Sequence, residues 1–496
     1  MDPKIIADLH KFYPEIIITG TLLLVVVADI ALGGLKRTVT FALTVLGLAA
    51  AFALTLPLIT AQPGSMFYDM IALDPMAVFF KAFLILASLL VVLAAPGSKE
   101  FAGSNLGEFY ALLLGVTLGM MLLASSTDLL MLFLSLEMVS VGGYIMVGYL
   151  RNDRQSNEAA LKYLLFGAVA TGVMLYGITL LFGVTGSTKM IVIRHALAGA
   201  ATSSENSLIL LVSTVLILAG LGFKIAAVPF HFWCPDVYTG APTPVTAFLS
   251  VAPKAAGFAI LVRFFFTSLS QSGPQFAWNT FGSINWMPIV MVLSIVTMTF
   301  GNIAALRQEN LKRLLAYSSI AHAGYILMGA VVLTSEGLQA VLVYLITYLF
   351  LNLGAFMIVI EIYNRTGSFE LKDYRGFYRR SPFLSVSMSI FLLSLMGIPP
   401  LAGFFGKLYV FAAAVNRDLA WFAVIGALNS VVAVYYYARV MKTMVIDGGD
   451  DISPVRVSWD SRALIWVMLI PTVGLMLFWD QVQRLTSGSV GLFLGN

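Results

Sequence analysis

Apolar runs of about twenty residues recur from one end of the chain to the other, from IIITGTLLLVVVADIALGG to RALIWVMLIPTVGLMLFW. A run of that length, wound as a helix, crosses the ~30 Å hydrocarbon layer of a bilayer. The hydrophobic share of 59% against 11% charged residues leaves no stretch for a soluble domain. The expected fold class is therefore an all-α polytopic membrane protein. Its first apolar run follows MDPKIIADLHK and reaches Gly33 with no small-residue cleavage site, so it reads as a retained first helix.

About fourteen spans are predicted, centred near Val25, Gly47, Leu86, Leu114, Ser140, Val173, Leu216, Ala256, Val296, Leu327, Leu349, Leu393, Ala433 and Met468. Lysine and arginine between them segregate by side. Lys36 and Arg37, Arg151 and Arg154, Arg307 to Arg313, Arg365 to Arg380, and Arg439 to Arg462 fall in alternate loops. About 17 basic residues face that side and about 6 the other, which marks it as cytoplasmic and puts both termini opposite.

Two spans are interrupted. KIAAVP breaks the seventh at Pro229, and SLMGIPPLAGFFGKLYVF breaks the twelfth at Pro399 and Pro400, where backbone donors are missing. Five is odd, so a five-helix unit repeated at that spacing enters the membrane from the other face. Two inverted five-helix repeats with broken helices 7 and 12 are expected, and such breaks point to a transport path. Residues 1–105 form helices 1–3, 106–270 the first repeat (helices 4–8), 271–446 the second (helices 9–13) and 447–496 the last helix. Two unrelated proline kinks are the simpler alternative.

Charged side chains inside the spans carry the chemistry. Lys81, Lys162, Lys224, Lys254, Arg263 and Lys407 fall within predicted helices, and Glu137 sits in LLMLFLSLEMVSVGGYIMVGYL. At ~2.5 to 3.5 kcal/mol for each central charge, Glu137, Lys224, Lys254 and Lys407 together oppose insertion by roughly 10 kcal/mol. These groups suit proton relay: burial weakens a lysine's hold on its proton, and a nearby carboxylate restores it. Glu137 with Lys224 forms the natural switch pair, with Lys254 and Lys407 as further stations and water beside the breaks as carrier.

Each of these residues has a plainer reading. Glu137 with Lys224 could lock two helices, and Lys254 and Lys407 could snorkel. His322, in AYSSIAHAGYILMG, is a relay or a satisfied core histidine. Lys162 snorkels or modulates Lys224. Lys81, near Asp74, and Arg263 read as interface residues, and Tyr435 to Tyr437 with Trp479 as interfacial belts. Cys234 alone excludes disulfides and cysteine-held clusters, and four scattered histidines make no metal set. The charge of +4 is explained by the loops and calls for no nucleic acid.

The segments LEMVSVGGYIMVGY, EAALKYLLFGAVATGVMLYG, FKIAAVPFHFWCPDVYTGAPTPVTAFLSVAPKAAGF, LAYSSIAHAGYILMG and GIPPLAGFFGKLYVF together resemble the antiporter-like subunits of respiratory complex I. The resemblance runs from about the fourth helix to the thirteenth, and the first three helices match only as apolar spans. It implies a fourteen-helix membrane-arm subunit that moves protons while the complex passes electrons from NADH to quinone. The family's fifth-helix glutamate matches Glu137, and the lysine of its broken seventh helix matches Lys224. Its eighth-helix lysine matches Lys254, and that of the broken twelfth matches Lys407. Lys162 corresponds to the sixth-helix lysine beside the switch pair and His322 to the tenth-helix histidine. A lysine at 407, and an end at GLFLGN with no long amphipathic helix expected after it, separate the chain from two of the family's three branches.

The resulting expectation is a translocase subunit with no redox chemistry and no cofactor of its own. NADH, FMN, iron–sulfur clusters and quinone are expected elsewhere in the complex. Its partners would be the bilayer and other membrane-arm subunits in a hetero-oligomer, in a bacterial plasma membrane. The alternatives are a subunit of a multi-subunit cation/proton antiporter or membrane-bound hydrogenase, and a passive membrane scaffold.

Overall fold

The computed structural model describes residues 3–33, 35–200, 206–273, 277–282, 284–449 and 453–492. Most of the GLFLGN end and the first two residues lie outside the described residues. The N-terminal part comprises α1 (Pro3–Lys11), α2 (Tyr13–Ala31), α3 (Lys36–Thr55), a hairpin of β1 (Gly64–Met66) and β2 (Ile71–Leu73), and α4 (Pro75–Ala94). Then come α5 (Leu106–Ser125), α6 (Leu129–Val147), α7 (Arg154–Thr185), α8 (Met190–Ala200), α9 (Ser207–Ile225), α10 (Trp233–Gly240) and α11 (Thr243–Ser268). A second hairpin, β3 (Ser270–Ser272) with β4 (Trp278–Thr280), leads to α12 (Met287–Ala305), α13 (Leu311–Val331), α14 (Ser335–Thr366) and α15 (Phe377–Arg380). The chain closes with α16 (Pro382–Met396), α17 (Ala402–Asn416), α18 (Ala420–Val445), α19 (Trp459–Gly474) and α20 (Trp479–Gly488).

Among the described residues 13 helices are long and apolar enough to cross a membrane. The predicted centre at Leu393 falls in α16, which has 15 residues, as does α17, so that neither half spans a bilayer alone. The helix starts follow from local sequence. Asp74, Asn105, Asp128, Asp153, Asn310 and Thr334 each accept a backbone N–H of the first turn and satisfy a donor the helix leaves open.

Loop contacts sort the two faces. On one, Arg439 pairs with Glu309, Arg313 with Asp236 and Lys312 with Glu100, and Arg365 donates to the Arg456 carbonyl. On the other, Lys189 pairs with Asp69, Phe67 N–H donates to Asp8, Trp278 N–H to Leu333 O, and Met76 N–H to Gly491 O. The first is the basic face and the second the hairpin face. Between them α11 is buried along its whole length, with α13 and α14 nearly so, which is why these helices read as apolar on every side.

A correspondence runs through α5 to α11 and α12 to α18. Helices α7 and α14 both have 32 residues, α11 and α18 both have 26, and α7 and α14 end at left-handed glycines, Gly186 (φ 69°) and Gly367 (φ 68°). Each glycine sits in a Thr-Gly-Ser turn. Thr185 and Thr366 donate to the carbonyls four residues back, while Ser187 and Ser368 accept the N–H groups of Lys189 and Glu370. Lys189 then bridges to Asp128 before α6, and Glu370 to Asn310 before α13. The first turn lies on the hairpin face and the second on the basic face.

Candidate functional site

Both interrupted helices end the same way. α9 stops at Ala226 (φ 59°) and α16 at Gly397 (φ 89°), and three residues further on each has a cis bond, Val228–Pro229 and Pro399–Pro400. Backbone groups that the breaks release meet protein side chains. Trp233 Nε1 donates to Phe223 O at 2.9 Å, Val228 N–H to Thr297 Oγ1 at 3.0 Å, and Gly403 N–H to Ser394 Oγ at 3.0 Å. Lys407 Nζ donates to Met396 O at 2.8 Å. Lys224 and Lys407 therefore both sit at the C-terminal end of a half-helix, where the dipole favours a cation.

Lys224, Lys254, His322 and Lys407 are all buried, at 1%, 3%, 4% and 5% exposure, which excludes snorkelling. Lys224 Nζ donates to Ser140 Oγ at 3.2 Å, and Ser140 lies one turn beyond Glu137 on α6. Glu137 is half-buried and within Coulombic reach of Lys224, and among the described residues its Oε1 takes no hydrogen bond from a protein group. The Ser140 hydroxyl itself donates to Leu136 O at 2.8 Å, so Lys224 is held on the Glu137 face of α6 without a direct bond to the carboxylate. The stem of Lys224 packs on Gly257, where a Cβ would lie 3.3 Å from Lys224 Cγ, and Gly257 is one turn from Lys254 on α11. The first two lysines consequently sit on touching helices.

Lys254 Nζ donates to Ser319 Oγ at 2.6 Å and lies 4.0 Å from Cys234 Sγ and 5.5 Å from the centre of the Tyr238 ring. Ser319 is one turn before His322 on α13. The imidazole shares hydrogen bonds with Tyr344 (2.7 Å) and Tyr437 (3.2 Å), and Tyr437 also bonds Ser318. Asn302 collects Tyr325 and Tyr436 hydroxyls at 3.0 Å each, and the Tyr325 ring lies 5.0 Å from Lys407 Nζ. The structure thus places hydroxyls between the cations. Sequence reasoning missed Ser140, Ser319 and Tyr437; the signal was the spacing of three that puts each serine on the face of Glu137 or His322.

Three expectations are corrected, for Arg263, Lys81 and the tyrosines, and Lys162 is placed at the basic face. Lys162 is part-exposed and bound to Asp236 (2.8 Å) and Glu158 (2.9 Å), with Arg313 on the other Asp236 oxygen at 2.7 Å; this cluster lines a 190 Å³ cavity on the basic face. Its ammonium reaches that end of α7, as the snorkelling alternative has it, and meets two carboxylates there. Arg263 is no interfacial anchor: it is fully buried, forks onto both Asp74 oxygens at 2.6 and 2.8 Å, and donates to Ala124 O. Lys81 is fully buried against Glu15 at 2.6 Å, since Asp74 is already taken. Tyr436 and Tyr437 belong to the core, and only Tyr435 faces outward.

Helix α10 ties these features together. Trp233 caps the end of α9, Cys234 and Tyr238 touch Lys254, Asp236 holds Lys162 and Arg313, and the closing Ala241 carbonyl accepts from buried Lys312 at 2.6 Å. Among the described residues no group of three or more His, Cys, Asp or Glu side chains is placed to hold a metal ion.

A row of buried cations on broken and unbroken helices defines an antiporter-like membrane subunit. The family model described as "NADH:quinone oxidoreductase/Mrp antiporter, TM" matches residues 126–433. NADH-quinone oxidoreductase subunit N of Anaeromyxobacter sp. (strain Fw109-5) is 43% identical over 98% of this chain and 97% of its own. Subunit N of Chlorobium chlorochromatii (strain CaD3) is 45% identical over 89% and 86%. A chain of respiratory complex I from Thermus thermophilus with bound Aureothin aligns with a TM-score of 0.75 at 34% identity, covering 94% of this chain and 98% of that one. The chain belongs to the subunit N family of NADH-quinone oxidoreductase, as a multi-pass membrane-arm subunit of a hetero-oligomeric complex.

Proposed function

We propose that protons cross this subunit along Glu137, Lys224, Lys254, His322 and Lys407, with Ser140, Ser319, Tyr437 and Tyr344 as hydroxyl contacts. The observation that carries this reading is that every cation of the row is buried yet touches a hydroxyl, a ring or a carbonyl, not a carboxylate. An ammonium without a fixed counter-ion in a low-dielectric site exchanges its proton more readily than a paired one. Movement of Glu137 relative to Ser140 and Lys224 gates the first station, and Lys162, through Asp236 and α10, acts on Lys254.

The matching Thr-Gly-Ser turns on opposite faces support two inverted repeats, residues 106–270 and 271–446, flanked by 1–105 and 447–496. The excess of lysine and arginine on one face supports a cytoplasmic orientation for it, in a bacterial plasma membrane, with both termini opposite. Electrons from NADH would pass through FMN and iron–sulfur clusters to quinone in other subunits, so the driving force reaches this chain by electrostatics and conformational change. Lys224→Ala and Glu137→Gln in the assembled complex test the reading: proton pumping and coupled quinone reduction fall strongly while assembly persists. Normal pumping by Lys224→Ala removes it from the path, and normal pumping by Glu137→Gln reduces the pair to packing.

A further inference from the structure

Helix α4 carries two fully buried ion pairs seven residues apart, and they are built differently. Arg263 meets Asp74 through one N–H on each terminal nitrogen, gives its Nε–H to Ala124 O, and Asp74 also accepts Ala77 N–H. Every guanidinium nitrogen and both carboxylate oxygens of that pair are hydrogen-bonded, as a structural ion pair in a low-dielectric interior requires. Lys81 Nζ and Glu15 Oε1 lie 2.6 Å apart at zero exposure but out of line for a hydrogen bond, and among the described residues no protein group forms a hydrogen bond with either head. Two full charges held so sparsely are costly, whereas the same pair with one proton moved is neutral.

We propose that Glu15 and Lys81 form a second protonation switch, outside the row and within the N-terminal helices. In it the Nζ–H bond of Lys81 breaks and an Oε1–H bond of Glu15 forms. An ammonium and a carboxylate become an amine and a carboxylic acid, with no net proton taken up. At 2.6 Å a reorientation of the two side-chain heads is enough to align an N–H of Lys81 with Glu15 Oε1, and the helices do not have to travel.

Geometry couples this switch to the row. Arg263 and Asp74 pin α11 to α4 at the hairpin face. From that pin Lys254 lies about 13 Å along α11 and Lys81 about 10 Å along α4, so the two lysines branch from similar depths. A charge change at Lys254 acts on the ionic but not the neutral form of the Glu15–Lys81 pair, and a shift of α11 reaches α4 through the pin.

The test compares the whole complex with and without the pair. In Glu15→Leu/Lys81→Met, apolar side chains of similar size replace both charges, a change that a merely structural pair tolerates or gains from. We expect this variant to pump fewer protons per NADH oxidised, by roughly twofold or more; wild-type pumping overturns the proposal. If it fails to assemble, redox-triggered infrared difference spectra decide. A carboxylic-acid band that responds to D2O and moves in Glu15→Asp is expected, and spectra identical in wild type and Glu15→Asp overturn it. A complex in which Lys224→Ala stops pumping and Glu15→Leu/Lys81→Met does not overturns this proposal alone.

Discussion

The ammonium of Lys407 donates to the carbonyl of Met396 at 2.8 Å, so the residue eleven positions downstream closes the helix end that opens at Gly397. A lysine at this place stabilises the break, and on the proposed path the same ammonium is the proton store. When its proton leaves, the charge that favours the helix end, a contribution of about 0.3–2 kcal/mol, leaves with it. Proton release is thereby linked to the stability of the broken segment.

That linkage separates two substitutions. Lys407→Met leaves Met396 O without its donor and is expected to lower stability by about 1–3 kcal/mol while stopping pumping. Lys407→Arg keeps a permanent cation that can still donate but does not surrender a proton, so stability is largely retained and pumping is lost. Thermal unfolding of the purified complex, run beside a vesicle pumping assay, distinguishes them. Wild-type pumping by Lys407→Arg contradicts a proton-storing role.

Ser319→Ala removes the 2.6 Å partner of Lys254 and the hydroxyl next to His322. Pumping is expected to fall several-fold, with Ser319→Thr restoring most of it because the hydroxyl returns. Proton transfer per NADH oxidised is the readout, and equal values for all three proteins contradict a role for the hydroxyl.

The Asp74–Arg263 pair is expected to behave as structure. Arg263→Leu strands a buried carboxylate and should cost about 3–5 kcal/mol, whereas Asp74→Asn/Arg263→Leu should recover much of that loss. Denaturant or thermal titration of the single and double variants measures the difference. A double variant as unstable as the single one contradicts the assignment.

At the tip of the first hairpin, Ser65 and then Lys189 hold the Asp69 carboxyl below its ordinary value of 3.8. A carboxylate with a lowered folded-state value adds stability that is present above the unfolded value and is lost as pH falls through the folded one. Hydrogen-exchange protection of residues 64–73, corrected for intrinsic rate, should therefore hold steady from neutral pH to about pH 4 and decline below it. In Asp69→Asn, protection at neutral pH should be lower and that decline absent; a wild-type profile contradicts the assignment.

How much of this was readable in advance depended on whether the cause was local. The spans, the two breaks and the buried cations are written in runs of apolar residues, in prolines and in charges, so each was legible. Partners were not: Glu15 and Lys81 are far apart in sequence, and Asp74 lies seven residues before Lys81 yet bonds Arg263. Nothing in a linear chain says which of two cations an aspartate will meet. For Lys162 the sequence left snorkelling and modulation open, and the two carboxylates that hold it at the basic face were not readable from its own segment alone. The repeated Thr-Gly-Ser turns were present in the sequence, but three small residues 181 positions apart gain meaning only when their hydrogen bonds coincide.

The central claim is that Lys254, between Ser319 and the α10 side chains, passes protons from one half of the subunit to the other. The most direct measurement is the number of protons moved per NADH oxidised by assembled complex carrying Lys254→Met, reconstituted in sealed vesicles. The account predicts a marked fall in that ratio or in coupled turnover with assembly intact. An unchanged ratio at an unchanged rate contradicts it.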